Sequence, residues 1–308
     1  MTVQLSVVAP VFNEESSLRE FCSRAVAVLS SLSQSFEIIL VNDGSKDNSL
    51  TVIKDLAKEY PQIKYISFSR NFGHQIAVTA GLHKSIGDCT VIIDTDLQDP
   101  PELIADLYKK YREGFEVVYA RRIARKGETW FKRLTAKYFY RGLNSITSIN
   151  IPLDTGDFRI IDRKVREVLN NMPESNKFIR GQVAWAGFRQ VSVEFIREER
   201  KHGQTGYPLR KMIRFAMNGI TGFSDFPLRF ASILGFIFSI VAFLIIIYAL
   251  VSKFVLHQVI TGWTSVIISS MFIGGIQLIT LGILGEYISR INSDVRNRPL
   301  YVVDESNI

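Results

Sequence analysis

At 308 residues the chain has room for about two units of roughly 150 residues each, but a second soluble domain is excluded: charged residues average 22%, and after Phe230 charge almost vanishes for long stretches. Lys and Arg number 37 against 30 Asp and Glu, a net charge of +7 that suits nucleic acid, anionic lipid or phosphorylated substrates. Their positions favour phosphate and a membrane surface over nucleic acid, which is not expected as a partner, because they gather at Arg121, Arg122, Arg125, Lys126, Lys132 and Arg133, at Arg197, Arg200 and Lys201, and beside the apolar tail at Arg210, Lys211 and Arg214.

The N-terminus lacks a basic region followed by an apolar run and enters a strand by Gln4, so no secretory signal is expected and the body is expected to stay in the cytoplasm. From Val3 to Val118 short apolar runs alternate with helical patterns, the signature of a mostly parallel α/β sheet with helices on both faces. Strands are predicted at Leu5 to Val11, Phe36 to Val41, Tyr65 to Phe68, Thr90 to Ile93 and Glu116 to Tyr119, with helices beginning near Glu15, Asn48, His74 and Pro101. Cys22 in a helix and Cys89 opening a strand carry no metal-ligand spacing and read as reduced packing residues. Four strands end in polar clusters: Asn13-Glu14-Glu15, Asn42-Asp43-Gly44-Ser45, Ser69-Arg70-Asn71 and Asp94-Thr95-Asp96. Ligands of open α/β sheets bind at the carboxyl ends of strands, so these clusters are expected to face one crevice.

After Ala120 come a basic helical stretch from Glu128 to Leu143, an extended piece around Phe158 to Ile161 and a strand from Arg189 to Phe195. Between Tyr207 and Gly222, Leu209, Met212, Ile213, Ala216, Met217 and Ile220 oppose Arg210, Lys211 and Arg214, the pattern of a helix lying on a membrane surface. Residues Phe230 to Val251 and Val266 to Ile288 are each about 20 nearly uncharged residues, long enough to cross a hydrocarbon core. Their connection carries only Lys253 and His257 near its start, whereas the outer flanks carry Arg210, Lys211, Arg214, Arg229, Arg290, Arg296 and Arg298. That bias places both flanks on the cytoplasmic side of the cell (inner) membrane. The expected units are therefore a body over 1–206, a juxtamembrane segment over 207–229, two spans with a short outer loop over 230–288, and a cytoplasmic tail over 289–308. Ala231, Gly235 and Ser239, spaced by four, suit either a close helix contact or a lipid-facing surface.

The sharpest chemical feature is Asp94-Thr95-Asp96-Leu97-Gln98, where an apolar strand ends. Two carboxylates one residue apart can hold a hard divalent cation that also grips diphosphate oxygens, with Gln98 as a neutral third ligand. Such pairs also cap helices, and here Asp99 can serve as the cap while Asp94 and Asp96 remain free. Asp43 stands at another strand end, where a carboxylate can take an imide N–H or a ribose hydroxyl, or can make a plain Asp-Gly turn.

Together the runs Val8-Ala9-Pro10-Val11-Phe12-Asn13-Glu14-Glu15, Val41-Asn42-Asp43-Gly44-Ser45-Lys46-Asp47, Arg70-Asn71-Phe72-Gly73-His74-Gln75 and Asp94-Thr95-Asp96-Leu97-Gln98-Asp99-Pro100-Pro101 resemble family 2 glycosyltransferases. More narrowly they are similar to the polyprenyl-phosphate branch of dolichol-phosphate mannose synthases and bactoprenol glucosyltransferases. The resemblance covers essentially the whole chain, the two spans included. It implies a fold of the glycosyltransferase A type, a nucleotide-sugar donor with Pro10, Asn13, Glu14, Asp43 and Asp94 around it, and Mg2+ or Mn2+ held by Asp94, Asp96 and Gln98.

Thr155-Gly156-Asp157-Phe158-Arg159 matches that family's acidic position beside the donor sugar, which makes Asp157 the candidate for orienting or deprotonating the acceptor. A phosphate monoester is already largely ionised near neutral pH, so positioning suffices; the structural alternative is a salt bridge from Asp157 to Arg159 or a lysine. Arg200-Lys201-His202-Gly203-Gln204-Thr205-Gly206-Tyr207 resembles the family's mobile loop, with Arg200 and Lys201 neutralising the departing nucleotide. Arg122, Lys132 and Arg133 are candidates for the acceptor phosphate. His74 and His202 read as structural hydrogen-bond partners. The chemistry implied is one inverting displacement that delivers a hexose, glucose from UDP-glucose by the closest resemblance, to undecaprenyl phosphate. A processive polysaccharide synthase is the nearest alternative, but its Gln-x-x-Arg-Trp signature is here Gln182-Val183-Ala184-Trp185, without the arginine; a non-catalytic membrane sensor of nucleotide sugar or lipid is the other. A homo-oligomer and a downstream flippase partner stay open at this stage.

Overall fold

The computed structural model describes residues 3–33, 35–123, 155–195, 224, 226–254 and 262–308. The basic helical stretch, the loop with Arg200 and Lys201, the surface helix, Lys132 and Arg133 lie outside the described residues.

Two strands form the centre of the sheet because nearly all their residues are apolar and the polar ones, Ser6, Glu37 and Asn42, are buried and hydrogen-bonded. All seven residues of β1 (Leu5–Val11) and all seven of β2 (Phe36–Asn42) are buried, as strands covered on both faces must be. The chain continues through β3 (Ile63–Phe68), β4 (Cys89–Ile92), β5 (Val117–Arg122), β6 (Thr155–Asp162), β7 (Gln190–Phe195) and β8 (Val303–Ser306). One sheet results, in the order β7-β5-β6-β4-β1-β2-β3-β8. Pairs β1/β2, β1/β4, β2/β3 and β5/β7 are parallel, and β3/β8, β4/β6 and β5/β6 are antiparallel.

Alternation along the strands divides the core into two layers. Leu5, Val7, Ala9 and Val11 of β1 and Ile38 and Leu40 of β2 meet α1 (Leu18–Leu32), α2 (Ser49–Glu59) and α4 (Leu103–Arg112) on one face. On the other face Ile39 and Val41 meet Ala77 and Ala80 of α3 (His74–Lys84), while Ile92 and Ile161 meet Val78 and Leu82 of α3 and the apolar stripes of α5 (Arg163–Asn170) and α6 (Ile179–Trp185). Helix α1 buries Leu18, Phe21, Cys22, Ala25 and Leu29, the spacing of a single apolar stripe. Gly81 lets α3 lie directly on β1, since a Cβ there would collide with the side chain of Val8. Asp99 does not cap the helix that follows it: α4 begins after Glu102, and Asp99 pairs with Arg122 instead.

Beyond the sheet run α7 (Phe226–Phe254) and α8 (Trp263–Val295), which contain both spans expected from the sequence. Their windows Phe226–Ile245 and Ser269–Val295 have mean hydropathies of 2.3 and 1.6 and are 6% and 0% buried. They are long and apolar enough to cross a membrane, and their surface is that of no soluble core helix: Phe236, Phe243, Met271 and Leu278 are all exposed. The two helices meet through Phe238 and Phe272, whose rings pack edge to face at 5.4 Å. A Cβ on Gly235 would meet nothing within 4 Å, so Gly235 makes no close helix contact among the described residues. After α8 the chain returns to the sheet, where β8 joins the β3 edge and Tyr301 stacks on Phe68 at 5.0 Å.

Candidate active site

The chain passes from β1 through β2 to β3 on one side and then returns to place β4 on the other side of β1. That reversal opens a crevice at the carboxyl ends of the strands, and all four polar clusters line this edge, because β1, β2, β3 and β4 run parallel. The loops are knitted to one another. Asn13 N–H donates to Ser45 Oγ at 3.1 Å, Lys46 N–H donates to Asn13 Oδ1 at 2.8 Å, Glu14 N–H donates to Ser49 Oγ at 2.9 Å, and Thr95 Oγ1 donates to the carbonyl of Pro10 at 3.2 Å. Asn13 and Leu97 both hold a positive φ, 56° and 59°. For a leucine this costs on the order of 1–2 kcal/mol; the kink turns Asp96 and Gln98 back on each other, and Gln98 N–H donates to Asp96 Oδ1 at 3.1 Å.

Asp43 is buried and spends both oxygens on the turn after β3. Asn71 Nδ2 donates to Oδ2 at 2.9 Å, Phe72 N–H to Oδ1 at 2.7 Å, and Gly73 N–H to Oδ2 at 3.0 Å. Burial pushes its carboxyl upward, against these backbone donors. Gly44 is required there, since its φ is +65° and a Cβ would strike the backbone of Arg70. Asp43 thus fixes the turn that delivers His74 to the start of α3.

His74 joins the two halves of the site. Its Nε2 lies 3.1 Å from Asp157 Oδ2 and 3.7 Å from Asp94 Oδ1, bringing a residue of β6 and one following β4 to the same ring. Asp157 is held on every side: Arg180 Nε donates to Oδ1 at 2.7 Å and Gln75 Nε2 to Oδ2 at 2.9 Å. Its cationic partner is therefore Arg180 of α6; Arg159 donates instead to the carbonyls of Asp157 and Gly156, at 3.2 and 3.0 Å. Nothing in the sequence signalled Arg180, which lies 23 residues from Asp157 on a seven-residue helix.

The electrostatics follow from this packing. Burial alone would raise the Asp157 carboxyl, but the Arg180 guanidinium and His74 outweigh it and hold the group well below the usual carboxylate range. Burial likewise opposes charge on His74, yet Asp94 and Asp157 together raise its pKa to about 9. Asp94 is pushed up to about 6, first by burial, against the pull of His74 and with the repulsion of Asp157, Asp96 and Asp99. Its buried Oδ1 has no hydrogen-bond partner.

That orphaned oxygen is the observation that fits a cation here. Among the described residues no three His, Cys, Asp or Glu side chains form a cage; Mg2+ is commonly held by one or two carboxylates and completed by substrate phosphates, which is what Asp94 and Asp96 can offer with Gln98 beside them. Arg122, from the end of β5, is 14% exposed and sits 3.4 Å from Asp99, on the same rim of the crevice as Gly156, whose Cβ would approach its Nη2 to 2.8 Å.

The profile of glycosyl transferase family 2 matches residues 6–169. An uncharacterised glycosyltransferase YkcC of Bacillus subtilis (strain 168) is 48% identical over 99% of this chain and 94% of its own length. The SfII prophage-derived bactoprenol glucosyl transferase of Shigella flexneri is 38% identical over 99% of both chains. Among solved structures, the mannosyltransferase PcManGT from Pyrobaculum calidifontis, in complex with GDP-Man and Mn2+, is 16% identical and aligns over 67% of this chain and 59% of its own, with a TM-score of 0.49.

Proposed function

Because the chain belongs to glycosyl transferase family 2, and is thus a glycosyltransferase, we propose that it moves a hexose from a nucleotide sugar, UDP-glucose fitting best, to the phosphate of a polyprenyl lipid. One observation carries the reading. Asp94 and Asp157 converge on His74 at the switch point of the sheet, in a chain that also presents two exposed apolar helices. The full-length likeness to a bactoprenol glucosyl transferase supports the choice of acceptor.

The crevice floor of Pro10, Asn13, Glu14 and the turn anchored by Asp43 receives the nucleotide. Asp94, Asp96 and Gln98 hold Mg2+ or Mn2+, which when bound supplies positive charge at the donor diphosphate. The lipid phosphate is already an anion and needs no strong base, which agrees with an Asp157 kept ionised by Arg180. An acceptor phosphate oxygen attacks the anomeric carbon, the bond from that carbon to the diphosphate oxygen breaks, and the nucleoside diphosphate leaves with the electron pair. One displacement inverts the anomeric centre. Asp157 positions the turn of His74 and Gln75 against Asp94, Arg122 with Lys132 and Arg133 receives the acceptor phosphate, and Arg200 with Lys201 neutralises the leaving nucleotide. Helices α7 and α8 cross the cell membrane with the sheet on its cytoplasmic side.

The test is nucleotide release from a panel of nucleotide sugars by the full-length protein with undecaprenyl phosphate. The expected product is chloroform-soluble and labile to mild acid. An ethanol-insoluble polymer would point to a polysaccharide synthase, and no turnover with any donor would point to a sensor. Unchanged turnover in Asp157→Ala would remove that residue from the site.

A further inference from the structure

A cavity of about 440 Å³ lies outside the crevice, where the end of α8 meets the turn that opens α3. One wall is α8, which presents Ser289, Ser293 and Arg296 at the i, i+4, i+7 spacing of a single helix face; Arg298 follows on the descent to β8. The other wall is Phe72 and Ile76. The guanidinium groups of Arg296 and Arg298 are exposed and have neither an ion pair nor a hydrogen bond among the described residues. The acid nearest in sequence, Asp294, is already engaged by the Ser175 N–H at 2.8 Å.

Depth identifies the ligand. The apolar run of α8 ends near Ile288, and the eight residues from 289 to 296 rise about 12 Å beyond it. The polar headgroup layer of one leaflet is roughly 5–8 Å thick, so Ser289 and Ser293 lie at headgroup level and Arg296 reaches its outer edge. Two forked cations above hydroxyl groups suit a phosphodiester, and the phenyl and sec-butyl groups of Phe72 and Ile76 suit the glycerol and first methylenes attached to it.

We propose that this cavity binds the phosphodiester headgroup of an anionic phospholipid from the leaflet facing the sheet, as a site separate from the one that receives the reacting phosphate. Asp94, Asp96 and Asp157 do not line it, and the side chains of His74 and Gln75, which open α3, are turned to Asp157. The bound lipid docks the sheet against α8 beside Ser175, whose Oγ also donates to the carbonyl of Ser293 at 3.4 Å. The inference rests on the membrane-crossing reading of α7 and α8.

The full-length protein in mild detergent, titrated with phosphatidylglycerol and followed by native mass spectrometry, is expected to retain one lipid molecule, and phosphatidylcholine should not replace it. The double variant Arg296→Gln/Arg298→Gln should bind phosphatidylglycerol at least about tenfold more weakly while keeping its nucleotide-release rate in detergent that contains undecaprenyl phosphate and no phospholipid. Ser289→Trp, which fills the cavity and keeps both charges, should do the same. Equal binding by parent and variants, or equal retention of phosphatidylcholine, overturns the site; displacement of the lipid by equimolar inorganic phosphate assigns it to free phosphate and overturns the lipid. Release of the protein from membranes by alkaline carbonate would instead overturn the membrane reading on which the lipid depends.

Discussion

Asp157 holds three side chains with two oxygens, and that arrangement argues for its role at the residue scale. A carboxylate bonded to Arg180, His74 and Gln75 is a poor proton acceptor and a good strut. Arg180→Ala leaves a nearly buried carboxylate short of its cation; the expected loss is about 2 kcal/mol, a drop of ~5 °C in Tm. Misplacement of the adjoining turn should lower kcat about 100-fold, with donor KM changing far less and Arg180→Lys restoring part of the rate. Asp96→Asn tests the cation site by a separate readout, Mn2+ binding in the presence of nucleotide sugar, and should weaken turnover at least ~100-fold. His74 gives a pH signature. Its pKa is raised in the folded state to about 9 from 6.5, so its stabilising contribution is complete below pH 6.5 and is lost as pH rises through about 9. In metal-free buffer the Tm of the parent should fall across that window, and His74→Gln, which keeps a donor but cannot titrate, should flatten the fall. Asp94 and Asp96 stood out in the sequence as a short local pattern at a strand end, and Asp157 through the family resemblance alone. Arg180 stayed hidden because only the fold brings α6 against β6.

At the scale of elements, legibility follows burial. β1 and β2 were plain in the sequence because both faces are covered and every residue is apolar or packed. β8 was not: Val303-Asp304-Glu305-Ser306 is a mostly exposed edge strand whose only signal is its pairing with β3. Helices α5 and α6, of eight and seven residues, are too short for a periodic pattern. Yet β8 has structural weight. Tyr301 stacks on Phe68 and approaches His83 Nδ1 at 3.3 Å through its hydroxyl, and Asn307 Oδ1 accepts from the Tyr65 N–H at 2.6 Å. Tyr301→Ala should destabilise the sheet by about 1–2 kcal/mol, seen as a Tm lower by several degrees, whereas Lys54→Ala, which breaks only the exposed contact with Glu305, should leave Tm where it is.

For the whole molecule, the path of the chain constrains its topology. The sheet precedes α7, and β8 rejoins that sheet after α8, so the two helices must leave one side and come back to it. At about 1.5 Å per residue, helices of 29 and 33 residues exceed the roughly 30 Å of a hydrocarbon core, which leaves α8 the extra turns that carry Ser289 to Arg296 beyond the apolar run. In the proposed topology the arginine-rich flanks put that side in the cytoplasm. The chain also offers a clean reporter, since its two native cysteines, Cys22 and Cys89, are buried and burial raises the thiol of each, which suppresses background labelling. His257→Cys, in the connection between the helices, should react with a membrane-impermeant maleimide on intact cells. Asn307→Cys, beyond β8, should react only after the membrane is opened. Labelling of both from outside would mean that α8 does not return across the bilayer, a path incompatible with β8 pairing to β3; the reverse pattern would place the sheet on the outer side, away from a cytoplasmic pool of nucleotide sugar.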